Sequence, residues 1–139
     1  MKKIFYIIFI SFYCFSCQSQ NKQCRANYSV ISFTAFTKNR VTKEKIKADD
    51  FDYKKIKIDM DSLNCFLQKL EFSKDSLYNI RLYGKLSCVK PIKEIFIDKN
   101  GIIEVDNKIY KMNKEFIRFI FRTIPEKDRE QYIPEWLGM

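Results

Sequence analysis

The residue types that most often carry out acid–base and metal chemistry are sparse in this chain. It contains no histidine, which excludes Ser-His-Asp triads, Cys-His dyads and zinc sites that use histidine. Carboxylates occur at Asp49, Asp50, Asp52, Asp59 and Asp61, and two of them converging in a cleft would suit acid–base hydrolysis. Their positions are more typical of loops and of a helix N-terminus. The sequence therefore predicts no catalytic residue among these carboxylates. The alternative is a hydrolase that uses two of them as acid and base.

Ser87 and Lys90 have the spacing of an SxxK motif, in which a desolvated lysine activates a serine nucleophile. The motif resembles that of penicillin-binding proteins and class A β-lactamases, but the companion SDN and KTG motifs are absent. We therefore predict that the chain is not an enzyme, and hydrolysis through Ser87 belongs to the same alternative.

A short polar stretch around Asp98 has part of the spacing of a calcium loop. If Gly101 is the sixth residue of an EF-hand loop, Asp98 and Asn100 fall at ligand positions, but Phe96 and Asn107 stand at the first and last. Three glycines in the whole chain are too few for a glycine-rich phosphate loop. We expect no metal and no cofactor, and Asn100-Gly101 instead predicts the tight turn of a β-hairpin.

The N-terminus has the layout of an export signal. Lys2 and Lys3 precede an uncharged, mostly apolar run from Ile4 to Phe15, which is shorter than the ~20 residues that span a bilayer as a helix. Ser16 and Cys17 end the run, and a polar stretch follows. A charged start, a short apolar run and a small residue before the cleavage point are typical of secretory signals.

This arrangement resembles the signal peptide of bacterial lipoproteins. In that family the cysteine thiol after the apolar run receives a diacylglycerol, and the chain is cut just before it. The resemblance implies a signal peptide over residues 1–16, lipidation of Cys17, and a lipidated tether over 17–27. Cys14 and Phe15 depart from the family's usual Leu-Ala pattern. A secretory signal cut without lipidation and a buried N-terminal strand or helix are the alternatives.

The same resemblance predicts the surroundings of the mature chain. It implies a cell-envelope protein held through acylated Cys17 at the outer membrane or at the periplasmic face of a membrane. The net charge is +9, which in other settings indicates nucleic acid. Export removes nucleic acid from reach, and the lysines are interspersed with acids, so we expect a solvated basic surface and no nucleic-acid partner.

Five cysteines are present, and two of them belong to the signal and the lipidation site. Cys24, Cys65 and Cys88 remain in a compartment where disulfides persist. A bond between Cys65 and Cys88 is favoured, because Cys24 lies in the predicted tether. Three free thiols are the alternative, and no CxxC motif suggests redox or zinc chemistry.

The remaining residues, 28–139, are predicted to form a single α+β domain. Apolar alternation and turn residues indicate a small antiparallel sheet of about four to five strands with a C-terminal meander, and two or three helices packed on it. Residues 37–50 are charged and predict an exposed loop. The predicted strands are 28–36, 53–58, 76–84, 92–98, 102–105 and 108–112, and the predicted helices are 61–70, 113–124 and 126–132.

The predicted helix that begins at Asn113 has an apolar arc of ~200°, wider than the stripe of a typical surface helix. Either the helix lies deep between layers, or one edge of it is exposed for a partner. The candidate partner surface comprises Phe119 and Phe121 with Arg118 and Arg122, together with the lysine-rich segment 38–47.

Taken together, the sequence predicts a membrane-anchored lipoprotein with no catalytic activity that binds an envelope protein or a glycan. A small envelope hydrolase and an immunity-type protein that neutralises a toxin are the alternatives. A cytosolic nucleic-acid binder would require that the export signal is misidentified.

Overall fold

The computed structural model describes residues 23–35, 37–48 and 54–132, and within them the chain has an α+β fold. Six antiparallel strands form one open sheet in the spatial order β2-β1-β3-β4-β5-β6. The strands are β1 (Gln23–Val30), β2 (Lys54–Asp59), β3 (Ile80–Leu86), β4 (Lys93–Asp98), β5 (Ile103–Val105) and β6 (Lys108–Tyr110).

Helices cover both faces of this sheet, unequally. The larger cluster of buried apolar side chains joins one face of the sheet to α2 and α3, and the smaller cluster joins the opposite face to α1. The fold class is confirmed: the described ranges contain six strands, as many as the predicted strand segments, and four helices, one more than the predicted segments. The helices are α1 (Lys43–Lys47), α2 (Met60–Leu67), α3 (Lys114–Thr123) and α4 (Glu126–Tyr132).

The first face of the sheet follows directly from the period-two pattern of its strands. In β1 the side chains of Cys24, Ala26 and Tyr28 are buried, while Arg25 between them is exposed. From the other side, α3 contributes fully buried side chains such as Phe116. Burial of apolar surface on this face supplies most of the hydrophobic stabilisation of the domain.

The second face carries a smaller apolar cluster in which Tyr83 of β3 stacks on Phe96 of β4 at 5.0 Å between ring centroids. Val41 and Ile46, from the segment that contains α1, pack against this cluster and are buried. The prediction of an exposed loop over residues 37–50 is therefore wrong for residues 41–47, because these two apolar residues are sufficient to fix a short helix.

Lysines of α1 complete the cover of the second face. Lys43 forms an ion pair with Glu104 of β5, and Lys47 binds Glu94 of β4 at 2.8 Å. Both ammonium groups also lie over the ring of Phe96, at 5.3 Å from its centroid. The aliphatic stems of these lysines therefore extend across apolar surface while their charges pair at its rim.

Two buried polar side chains, Arg81 of β3 and Asn79 just before it, bind the backbone of the segment between β1 and α1. The guanidinium of Arg81 is almost fully buried and donates to the carbonyl of Ala35 at 3.0 Å. The side-chain oxygen of Asn79 accepts from the backbone N–H of Val41 at 3.0 Å. Burial lowers the pKa of Arg81. These bonds hold Ala35 and Val41 against the sheet.

The predicted C-terminal meander is confirmed. The β4–β5 hairpin turns at Asn100-Gly101, where Gly101 has φ +81°, and the next turn places Asp106 and Asn107 at φ 50° and 64°. Both turns use residue types that tolerate the left-handed region. The side chain of Asp98 accepts backbone N–H bonds within the first turn, which stabilises the hairpin locally.

The helix boundaries agree with the predicted caps except at α2. Asn113 caps α3 through a bond from Phe116 N at 2.9 Å, as predicted, and α4 has its predicted bounds. At α2 the cap is Asp59, whose carboxylate accepts from Ser62 N at 2.9 Å, and not Asp61. The helix begins at Met60, directly after the strand that ends at Asp59, so Asp61 already lies in its first turn.

Strand β1 begins earlier than predicted. Its ladder to β2 starts at Gln23, opposite Asp59, so residues 23–27 belong to the sheet and the predicted tether over 17–27 is wrong in that part. Burial of Cys24 and Ala26 gives the physical reason, because two more residues of the alternating pattern reach the apolar face. In β3 a bulge between Ile80 and Leu82 places their side chains in different clusters, although a spacing of two residues puts side chains on one face of a regular strand.

Candidate functional site

The cysteines come together in a pairing that differs from the predicted one. Cys24 and Cys88 form a disulfide with 5.7 Å between their Cα atoms, and Cys65 is a free, exposed thiol on α2. The strand register explains the pairing. Ala26 of β1 lies opposite Leu86 of β3, and Cys24 and Cys88 each stand two residues beyond that pair, towards the same end of the sheet. The prediction of a Cys65–Cys88 bond is wrong since it rested on assigning Cys24 to a tether. The alternation of polar and apolar residues from Gln23 was the signal that would have extended the strand.

The candidate partner surface on α3 is not a continuous exposed patch. Phe121 is fully buried and meets Phe33 edge-to-face at 5.5 Å, so it is a core residue and its assignment to a surface is wrong. Phe119 is half-buried and stacks on Phe66 of α2 at 4.8 Å. Arg118 is half-buried, and Arg122 is exposed. The wide apolar arc of this helix is thus explained by packing against both the sheet and α2.

Ser87 and Lys90 lie in the loop between β3 and β4, and both are exposed. A lysine activates a serine as its base only when it is withdrawn from water. Among the carboxylates, the bonds from Ser62 lower the pKa of Asp59, whereas a general acid at neutral pH requires a raised one. Asp61 is exposed, and Asp49, Asp50 and Asp52 lie outside the described residues. The geometry of the described groups gives no support to hydrolysis.

The partial calcium motif is a structural turn. One oxygen of Asp98 accepts from Asn100 N at 2.8 Å and from Ile102 N at 2.9 Å, and the other accepts from Tyr78 N at 3.1 Å. These bonds direct backbone N–H groups at the carboxylate, which is the opposite of what a cation site requires. Within residues 23–35, 37–48 and 54–132, no three metal-ligating side chains converge.

The interior of the domain has little free space. Between the first face and α3 an apolar gap of about 20 Å³ remains, close to the smallest volume that holds one water. Spaces of about 440 and 320 Å³ are open grooves on the surface.

Exposed apolar side chains concentrate around the β4–β5 turn, which we call the distal end of the sheet. Phe72 is 68% exposed and stacks on Tyr110 at 5.1 Å, and Met112 approaches the turn glycine, Gly101. Tyr78 is 60% exposed, and its backbone N–H donates to the Asp98 carboxylate at the turn. Exposed aromatic and apolar side chains at one end of a sheet are candidates for an interaction surface.

The opposite end of the sheet, which we call the basal end, is where β1 begins and β2 and β3 end. The disulfide lies there and links Cys24, near the start of β1, to Cys88 in the β3–β4 loop. Arg25, Lys57 and Lys90 are exposed at or near this end, and Ile92 is 51% exposed in the same loop. The basal end thus combines positive charge with a protruding apolar side chain.

No family model matches this chain, and no curated protein and no solved structure is detectably similar to it. In the described ranges no helix has the length and apolar character needed to cross a bilayer. Cys17 and the predicted signal segment lie outside the described residues.

Proposed function

We propose that this chain is a lipoprotein of the bacterial cell envelope, anchored through a diacylglycerol on Cys17, whose α+β domain binds another protein and has no catalytic role. The observation that carries the proposal is the N-terminal sequence, in which two lysines, a short apolar run and Ser16-Cys17 precede a polar stretch. Two or three acyl chains bury enough CH₂ groups, at ~0.8 kcal/mol each, for stable anchoring.

The disulfide supports export. Cys24 of β1 is bonded to Cys88, which lies just beyond the end of the neighbouring strand β3, and disulfides of this structural kind persist in the periplasm and outside the cell but are rare in the cytosol. Strand β1 also begins only six residues after Cys17. A domain that begins so close to the acylated residue would be held near the membrane surface.

The distal end is the surface that we assign to the partner. Anchoring at the start of β1 turns this end away from the bilayer, because successive antiparallel strands reach from one end of the sheet to the other. Its exposed side chains are aromatic or flexible apolar residues, Phe72, Tyr78 and Met112, which are enriched at protein interfaces. A protein of the envelope is the partner that this apolar character favours, and a glycan is the other outcome of the test.

Fractionation of cells that produce the tagged chain tests the anchor. The wild-type protein is expected in the membrane fraction, and Cys17→Ser is expected in the soluble fraction or as an uncut precursor. Cys65→Ser is the matched control, because it removes an exposed thiol within the domain and should stay with the membrane. Retention of a processed Cys17→Ser chain in the membrane fraction would contradict the proposal.

Cross-linking in intact cells tests the partner surface. A photoreactive residue at Phe72 should give a discrete adduct with another envelope protein, and the same residue at Arg122, exposed on α3, should not. Adducts of equal yield from both positions, or adducts that contain glycan alone, would contradict a protein partner at the distal end.

A further inference from the structure

We propose that the basal end of the domain docks on anionic phospholipid headgroups, with Arg25, Lys57 and Lys90 facing the phosphates and Ile92 inserted among them. This inference rests on the proposed anchor at Cys17. It adds that the domain lies against the bilayer in one orientation and does not move freely on its tether.

The length of chain between the anchor and the sheet limits the orientations. Six peptide units separate Cys17 from Gln23, so a fully extended tether spans at most ~22 Å. A domain of about this size has a radius of gyration of ~13 Å, and its diameter therefore exceeds the tether. The N-terminal end of β1 is consequently held at the membrane side of the domain.

Strand order determines what accompanies β1 at that side. Gln23 lies opposite Asp59 at the end of β2, and the start of β4 joins the end of β3 through residues 87–92. The disulfide fixes this loop to β1 through Cys88. Cys24 is only seven residues from Cys17, so the disulfide keeps this loop on the membrane side of the domain together with the start of β1.

The charges at this end favour an anionic surface. Arg25 and Lys57 are direct cross-strand partners, and both are exposed. Like charges placed opposite each other destabilise a sheet, and anionic headgroups between them would offset that cost. Lys90 adds a third positive charge. For these three residues no ion pair with a carboxylate occurs among the described residues.

Acidic side chains at the basal end are mostly engaged. Asp59 caps α2 through Ser62, and Asp106 pairs with Lys93 at 3.2 Å. Asp61 is exposed, and its negative charge partly opposes docking on an anionic surface. The balance remains positive, and each lysine or arginine near an anionic membrane surface strengthens attachment severalfold.

Ile92 supplies the apolar component. Its side chain is 51% exposed, and it follows Pro91 in a loop with Lys90 and Lys93 on either side. An apolar side chain beside an unpaired lysine is suited to the interface of a bilayer, where it can enter the boundary with the acyl chains while the ammonium group of Lys90 stays with the phosphates. The loop therefore has the chemistry of a membrane contact.

Amine labelling of the purified, acylated chain in vesicles tests this orientation. One sample uses phosphatidylcholine alone, and the other uses equal parts of phosphatidylglycerol and phosphatidylcholine. We expect acetylation of Lys57 and Lys90 to be at least about threefold slower in the anionic vesicles, with recovery at high salt. Lys99, exposed at the distal turn, is the control and should be labelled equally in both.

Equal labelling of Lys57, Lys90 and Lys99 in anionic vesicles, on a chain whose mass includes the diacylglycerol, would overturn the docking and leave the anchor intact. A mass without the diacylglycerol would overturn the anchor and the docking together. Replacement of Ile92 by serine, at an exposed loop position that should not affect folding, is expected to reduce the protection of Lys90 in the same assay.

Discussion

The hydroxyl of Tyr28 donates a hydrogen bond of 3.1 Å to the carboxylate of Asp128, linking the first strand to the last helix across 100 residues of sequence. The other oxygen of the same carboxylate lies 2.8 Å from the ammonium group of Lys54 in β2. Asp128 is buried, and its bonds to Lys54 and Tyr28 lower its pKa. One ionised side chain therefore fastens α4, a helix with few apolar residues, to the edge of the sheet.

Replacing Asp128 by asparagine should destabilise the domain at neutral pH. The change removes a charge-assisted bond to Lys54 and weakens the bond from Tyr28, which we expect to cost about 1.5–3 kcal/mol. Urea unfolding at pH 7 measures the loss. Asp75→Asn is the control, because Asp75 is exposed and its bond from Ser73 can form to the amide oxygen as well.

The same carboxylate predicts a dependence of stability on pH. Folding lowers the pKa of Asp128, so its contribution is complete above its unfolded pKa of ~4 and is lost as the pH falls through the folded pKa. The difference in unfolding free energy between wild type and Asp128→Asn should therefore shrink below pH ~4. A difference that stays constant from pH 7 to pH 3 would show that the ionised carboxylate is not the source.

Removing the disulfide should destabilise the domain far more than removing the third cysteine. The bond closes a loop with a sequence separation of 64 residues, for which the chain-entropy model gives about 4 kcal/mol. We expect that loss for the double variant Cys24→Ser, Cys88→Ser, and a similar loss when wild type is reduced. Cys65→Ser should unfold like wild type, since this thiol is exposed. A larger effect at Cys65 would contradict the pairing.

The two phenylalanines of the candidate partner surface should respond differently to substitution. Phe121→Ala leaves a cavity in the core beside Phe33 and should cost about 3–5 kcal/mol. Phe119→Ala removes a half-buried ring stacked on Phe66 and should cost about 1–2 kcal/mol. Arg122→Ala, at an exposed position of the same helix, serves as the control in thermal or urea unfolding. Equal losses for both phenylalanines would contradict the packing of α3.

Gly101 in the β4–β5 turn and Gly84 in β3 allow a matched test of backbone conformation. Gly101 has φ +81°, where an alanine is strained, so Gly101→Ala should cost about 1–2 kcal/mol. The nearby Met112 side chain is flexible and half exposed, and it can move aside. Gly84 has no such φ, and an added Cβ meets only Ile95 at 4.0 Å. Gly84→Ala should therefore be neutral or stabilising by up to about 1 kcal/mol, measured in the same unfolding assay.

Local rules predicted the C-terminal half of the fold well. The turn at Asn100-Gly101, the cap at Asn113 and the bounds of α4 depend on neighbouring residues, and the structure has all three. The N-terminal half depends on contacts distant in sequence. The pairing of Cys24 with Cys88 requires that β1 lies next to β3, and no local pattern specifies that neighbour.

The segment before β2 shows a second limit of local patterns. Residues 37–48 have few apolar side chains, yet Ile46 is fully buried, because Tyr83 and Phe96 offer an apolar surface that short-range periodicity does not reveal. The apolar arc of α3 had two interpretations for the same reason. The correct interpretation depends on the position of α2. The contact between Phe119 and Phe66 shows that α2 covers this edge of α3.

The intact mass of the protein extracted from membranes tests the lipoprotein proposal most directly. The account predicts a chain that begins at Cys17 and carries a diacylglycerol, with the disulfide between Cys24 and Cys88 preserved. A mass equal to that of the unmodified chain from Met1 to Met139 would contradict it.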